Sequence, residues 1–101
     1  MRASDPATAQ QIGAAAIVGR IDESRARTLL TTAEWYLKRG DAVAAEFTAR
    51  RLMKTLPRTV AADEAVHFVT RLMKTLPPYV RDEARDAGVY PPSVFGPEDD
   101  A

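Results

Sequence analysis

The heptapeptide Arg-Leu-Met-Lys-Thr-Leu-Pro stands twice in this chain, at residues 51–57 and again at 71–77. The likeness continues past it, because Val60 and Asp63-Glu64-Ala65 answer Val80 and Asp82-Glu83-Ala84 once one residue is skipped. Proline lacks an amide proton and disfavours helical geometry in the residue before it, so each copy must end its own helix. A helix continuous through both copies would place them on nearly opposite faces, at about 100° per residue. Broken at Pro57, each copy can turn its leucines to a shared core. A short period in a helical sequence marks stacked helices, and stacked helices mostly bind other proteins.

Hydrophobic spacing predicts the helices themselves. Ala26, Leu29, Leu30, Ala33, Tyr36 and Leu37 recur at three- and four-residue steps, with Asp22 as the expected N-cap and Gly40 as the stop. Lys38 and Arg39 lie in the last turn, where cations suit the helix dipole. Asp41 is expected to cap the next helix, whose stripe is Ala45, Ala49, Leu52 and Leu56, widened by Met53 and ended by Pro57. Thr59 caps a third, with Ala62, Ala65, Val69, Leu72 and Leu76 in line and Val66 and Met73 beside them. Pro77 and Pro78 end it, so both copies are expected as the last two turns of successive helices. Ahead of these, Asp5 as N-cap and Pro6 at the first helical position predict a short N-terminal helix. After them a short charged helix over residues 79–87 closes at Gly88.

The remainder is proline-punctuated and expected to be extended. Tyr90, Val94 and Phe95 on it must fold back on the helices or dock on another chain, while Glu98-Asp99-Asp100 reads as a solvated acidic end. The organisation is then a short helix and linker over residues 1–21, a helical domain over 22–78, and a short helix with a Pro-rich acidic tail over 79–101. The fold class is all-α, with three to five helices.

Composition narrows the function classes. The 14 basic and 14 acidic residues cancel, whereas a dedicated nucleic-acid binder carries a basic patch, so no nucleic-acid partner is expected. The absence of cysteine removes disulfides, thiolate metal sites, a Cys nucleophile and a lipidated Cys. The small apolar run at residues 12–19 follows Asp5 and Pro6 with only Arg2 before it, a pattern that fits a helix better than a signal peptide. No segment has the length and apolarity to span a bilayer. These features leave the compartment open between cytoplasm and periplasm.

Over residues 29–57 the chain resembles a tetratricopeptide repeat. Leu29 stands at the first large position, Ala33 at the small one, Tyr36 at the aromatic one, Gly40-Asp41 at the turn, Ala45 at the small crossing position, and Leu52 and Pro57 at the late apolar and terminating ones. Tyr36-Leu37-Lys38-Arg39-Gly40-Asp41, then Ala44-Ala45, Leu56-Pro57 and Asp63-Glu64-Ala65, is similar to repeats in the lipoprotein of the bacterial outer-membrane β-barrel assembly machine and in related cell-division coordinators. Ala49 and Leu52 depart from the family as a size swap. The resemblance implies antiparallel helical hairpins and a non-enzymatic interaction module or assembly subunit. Its partner would be a protein or peptide, bound along the first helix of each pair.

Position-matched candidates for that binding are Arg25, Thr28, Thr32, Trp35 and Arg39, with Trp35 foremost because indoles are enriched at interface hot spots. Tyr90 and Phe95 are further candidate anchors on the stiffened tail. Apolar positions left over at Met53, Phe68 and Met73 predict self-association or membership of a larger complex. A competing class comes from Glu64-Ala-Val-His67, whose Glu-x-x-His spacing matches a di-iron helix motif. With one histidine in the chain, such a site requires a helical dimer and extra ligands such as Glu34 or Glu46. No catalytic set is suggested, since serine occurs only at Ser4, Ser24 and Ser93 and no Gly-rich phosphate loop exists, and no cofactor is implied. Arg50, Arg51, Lys54 and Arg58, echoed by Arg71 and Lys74, read as a mildly basic solvated rim.

Overall fold

The computed structural model describes residues 6–96, and side chains from residue 19 onward. Among the described residues the chain is all-α. Helix α1 spans Pro6–Lys38, α2 Ala42–Thr55, α3 Val60–Leu72 and α4 Pro78–Ala87, with short 3₁₀ turns at Met73–Thr75 and Pro92–Phe95.

The expected break between a short N-terminal helix and one starting at Asp22 does not occur. Helix α1 is continuous over 33 residues, and the boundary at residues 21 and 22 falls in its interior. An interior Gly costs a helix about 1 kcal/mol relative to Ala, so Gly13 and Gly19 tax it without breaking it, and Ala14-Ala15-Ala16 favour it. Asp22 therefore caps nothing. Helix α1 is described from Pro6 onward, and the Asp5 cap and the acidic end at Glu98-Asp99-Asp100 lie outside the described residues.

The α1–α2 turn is built as the sequence requires. The Gly40 amide bonds to Leu37 O at 2.9 Å and the Asp41 amide to Tyr36 O at 3.0 Å, the paired bonds of a Schellman stop, with Gly40 at φ 85°. Asp41 then accepts from the Ala44 amide at 2.9 Å and caps α2. Thr59 caps α3 in the same manner, accepting from the Ala62 amide at 3.1 Å.

A carboxylate from α1 completes that cap. Glu23 accepts from the Val60 and Ala61 amides, both at 2.9 Å, placing negative charge on the positive end of the α3 dipole. One turn further along both helices, Arg27 meets Glu64 through two bonds of 2.8 Å. The constant offset, 37 residues from Arg27 to Glu64 and from Glu23 to Val60, shows α1 and α3 running side by side in the same direction. Helix α2 returns between them, antiparallel to both.

The core lies where the three helices meet. Ala26, Leu30 and Ala33 of α1, Ala45, Ala49 and Leu52 of α2, and Ala61, Ala65, Val69 and Leu72 of α3 are buried. Leu29 and Tyr36 pack half-buried at its edge. Phe68 and Met73, expected as leftover apolar surface, are core residues, and Met53 packs half-buried against the core cluster. The reason is the tail. It is not extended past Pro91 but coils into the 3₁₀ turn at Pro92–Phe95, with Val94 buried and Phe95 packed against the cluster.

The second heptapeptide copy also departs from expectation. Its helix ends at Leu72 and tightens into the 3₁₀ turn instead of completing two α-turns. Helix α4 ends at Gly88, held at φ 70° as an αL stop.

Candidate partner-binding site

Arg25, Thr28, Thr32, Trp35 and Arg39 step by three, four, three and four residues, so α1 and the first residue past its end carry them as one stripe. The stripe faces away from the core: Trp35 lies nine residues from buried Ala26, about half a turn round the helix at about 100° per residue. Trp35 is 50% exposed. The Arg39 guanidinium sits over its ring at 4.7 Å, and the Tyr36 ring meets its edge at 5.2 Å between centroids. A half-exposed indole held by a stacked cation and a T-shaped aromatic neighbour is oriented in advance of any contact.

The other end of the stripe opens into a groove of about 590 Å³. Arg25, Thr28 and Leu29 of α1 form one wall, and Arg51 and Thr55 of α2 with Leu56 just past its end the other. Its lining pairs two guanidinium groups with two leucines and carries no acidic side chain, so it suits an anionic group beside an apolar one. The threonine hydroxyls are less available than their position suggests. Thr28 donates to Ser24 O at 3.1 Å and Thr32 to Thr28 O at 2.9 Å, which uses their donors inside the helix.

The remaining candidates lie elsewhere. Tyr90 is buried at 8% exposure, and its hydroxyl donates to Glu46 Oε2 at 2.9 Å. It anchors the tail to α2 and presents nothing to a partner, because the fold-back satisfies both its ring and its hydroxyl. Phe95 is half-buried with its ring 6.2 Å from that of Tyr90 and the Arg85 guanidinium 5.3 Å away.

Spacing alone missed the polar knot that Tyr90 enters. Glu46 is fully buried and receives Arg50 Nε on Oε2 at 2.9 Å and Arg50 Nη2 on Oε1. Both arginine bonds and the phenol satisfy a charge that would otherwise be costly to bury. The hydrogen bond to Glu46 holds the Arg50 guanidinium above its usual value. Burial first, and then the Glu46 carboxylate, push the Tyr90 phenol well above its usual range. Arg50 thereby leaves the basic rim, and the Glu-x-x-x-Arg spacing was its legible signal. Tyr90, 44 residues from Glu46, gave none.

Glu64 and His67 are both exposed on α3. Both oxygens of Glu64 bond to Arg27, which holds its carboxyl below the usual range. Glu46 belongs to the buried knot. Among the described residues no group of three metal-ligating side chains forms, and no helix is long and apolar enough to cross a membrane.

Comparison of the chain with protein-family models, curated proteins and solved structures finds no match in any of the three.

Proposed function

We propose that the chain is a non-enzymatic interaction module built on a tetratricopeptide-like helix repeat, and that α1 carries its binding stripe. The observation carrying this reading is Trp35, half exposed and stacked by Arg39 at 4.7 Å on the face opposite the core. Burial of Ala33 and Ala45, the small positions of the resemblance, supports the repeat, as does the α1–α2–α3 order of parallel, antiparallel and parallel helices. The α1–α3 offset of 37 residues exceeds the repeat period of about 34, a departure of this chain from the family pattern. The partner is a protein segment with an apolar side chain for Trp35 and a carboxylate for Arg25 or Arg51 in the groove. On this reading the chain belongs to a larger complex or pairs with its own copies.

The test is affinity capture from the native lysate with wild type, Trp35→Ala, Arg25→Ala and Tyr79→Ala, each checked for equal helicity by circular dichroism. Trp35→Ala and Arg25→Ala are expected to lose the same captured protein while Tyr79→Ala, an exposed aromatic on α4, retains it. Capture unchanged by Trp35→Ala sinks the stripe.

A further inference from the structure

The stripe on α1 is longer and more regular than its five candidate residues show. Ile21, 47% exposed, precedes Arg25 by four residues. The line therefore runs Ile21, Arg25, Thr28, Thr32, Trp35, Arg39, at steps of four, three, four, three and four. Ile21, Thr28 and Trp35 form one series at intervals of seven, and Arg25, Thr32 and Arg39 form the other. That is the a/d pattern of a seam between two helices. The line stays helical to its end, since the Arg39 amide still bonds to Trp35 O at 3.2 Å. At about 1.5 Å per residue it is about 27 Å long, roughly five turns of a partner helix. An extended segment, rising about 3.3 Å per residue with side chains on alternate sides, has no use for that period.

The surroundings of the seam suit a helix as well. It lies roughly 140° round α1, at about 100° per residue, from Glu23 and Arg27, the residues that meet α3. It is therefore turned away from α3. Thr28 and Thr32 already donate to Ser24 O and Thr28 O, so covering them strands no hydroxyl donor. Leu29 and Tyr36, half-buried and each one residue past a seam position, carry apolar surface toward the α1–α2 groove. There Arg51 adds a third guanidinium to those of Arg25 and Arg39.

A second copy of the chain is the wrong occupant. Laid parallel, two seams set Arg25 against Arg25 and Arg39 against Arg39. Laid antiparallel about the midpoint of Thr28 and Thr32, they bring Arg25 of one copy to the indole that Arg39 of the other already covers at 4.7 Å. Either way like charges meet across the seam.

We propose that the seam docks an amphipathic α-helix of another protein, with apolar residues for Ile21 and Trp35 and flanking carboxylates for Arg25, Arg39 and Arg51. Resting on α1 as the binding face, this specifies the partner's secondary structure, the sign of its charge and its length.

The test uses the full chain and a fluorescein-labelled peptide of three Glu-Leu-Ala-Ala-Leu-Glu-Gln heptads, read by anisotropy. Its glutamates repel a second strand, so the free peptide stays single. Wild type is expected to bind it at micromolar concentration. Trp35→Ala is expected to weaken binding about tenfold or more, as removal of an interface anchor does. Arg25→Glu/Arg39→Glu is expected to abolish binding and to accept instead the same peptide with lysine for glutamate, while Tyr79→Ala on α4 keeps wild-type affinity. Circular dichroism confirms that each variant is folded. Failure of wild type to bind at millimolar peptide overturns the proposal. Equal affinity for a peptide with proline in place of its central alanines, which cannot form the helix, overturns it too, as does binding that survives the double charge reversal. A Trp35-dependent dimer in sedimentation equilibrium puts a second copy on the seam and is equally fatal. A lysate protein lost with Trp35→Ala, seen beside a helical peptide that does not bind, removes the helical partner while α1 stands as the binding face.

Discussion

In the first copy of Arg-Leu-Met-Lys-Thr-Leu-Pro the α-helix runs to Thr55, and the Leu56 amide closes on Leu52 O at 2.8 Å. In the second copy the helix stops at Leu72, and the Leu76 amide reaches back only to Met73 O, at 3.3 Å. The threonines follow suit. Thr55 donates to Arg51 O, four residues back, and Thr75 to Leu72 O, three back. Burial diverges as well, since Leu52 and Leu72 are both core but Met73 and Leu76 are buried where Met53 and Leu56 are only half-buried. Seven identical residues therefore take two shapes, and what differs is the surroundings. The first copy is the end of a helix inside a hairpin. The second is covered by the tail turn and followed by a second proline.

The largest effects should fall where the copies agree, and the informative ones where they do not. Leu52→Ala and Leu72→Ala should each cost about 2–5 kcal/mol as buried leucines. Met73→Ala should cost a similar amount, and Met53→Ala distinctly less because it is only half-buried. Urea denaturation of the four variants checks this. A Met53→Ala penalty equal to that of Met73→Ala would show that the copies are equivalent in solution.

The correspondence extends backward by the same twenty residues to Ala45 and Ala65, both fully buried. Ala45 is fully buried on α2, so Ala45→Leu should cost about 1–3 kcal/mol by overpacking. Ala44→Leu, at a half-buried neighbouring position, should cost less. Equal thermal stability of the two variants would put the hairpin register in error.

Tyr90 ties the tail, which covers the second copy, to the helix that carries the first. Tyr90→Phe removes a hydrogen bond to a buried carboxylate and should cost about 1.5–3 kcal/mol. The loosening should be local: faster amide hydrogen exchange at residues 72–76 with residues 52–56 unchanged. The pH dependence has a definite sign. The folded phenol titrates above its unfolded value of about 10, so its contribution is complete below that pH and is lost as pH rises, by at most about 1.4 kcal/mol per unit. Wild-type stability should fall more steeply than that of Tyr90→Phe above pH 10 or so. Parallel curves would mean that burial and the Glu46 carboxylate do not hold the phenol neutral.

The parts of this architecture legible in the sequence are the ones decided locally. Asp41, Thr59, Gly40 and Gly88 each act within a turn of their own position, and each acts as its residue type predicts. The stripe from Arg25 to Arg39 was legible for the same reason, since a helix fixes which residues share a face. Asp22 caps nothing because α1 runs through it without a break, and a capping residue type marks a helix start only where a break precedes it. Contacts between distant segments left no trace in spacing. Glu23 caps a helix 37 residues away, and Tyr90 satisfies a carboxylate 44 residues away. These pairings exist only after α1, α2 and α3 have stacked, and they decide which aromatic side chains stay exposed.

The smallest expected effect isolates the proline pair from the tail as the cause of the divergence. A proline holds its predecessor extended. In the second copy this acts twice, leaving Leu76 at φ −85°, ψ 146° and Pro77 at φ −60°, ψ 149°. In the first it acts once, on Leu56, which leaves the helix at φ −135°, ψ 55° without becoming extended, and Pro57 is free to enter the turn before Thr59. Two extended residues in succession carry the chain off sooner, and the tightened 3₁₀ turn is what brings Leu76 into the core. Pro78→Ala releases Pro77 while sparing Leu76. It should cost about 0.4–1 kcal/mol, chiefly through the unfolded chain. Carbon chemical shifts at residues 73–75 should move toward α-helical values, as they are in residues 53–55. Shifts that stay in place would assign the tightened turn to packing by Val94 and Phe95, and the two copies would then differ through the tail alone.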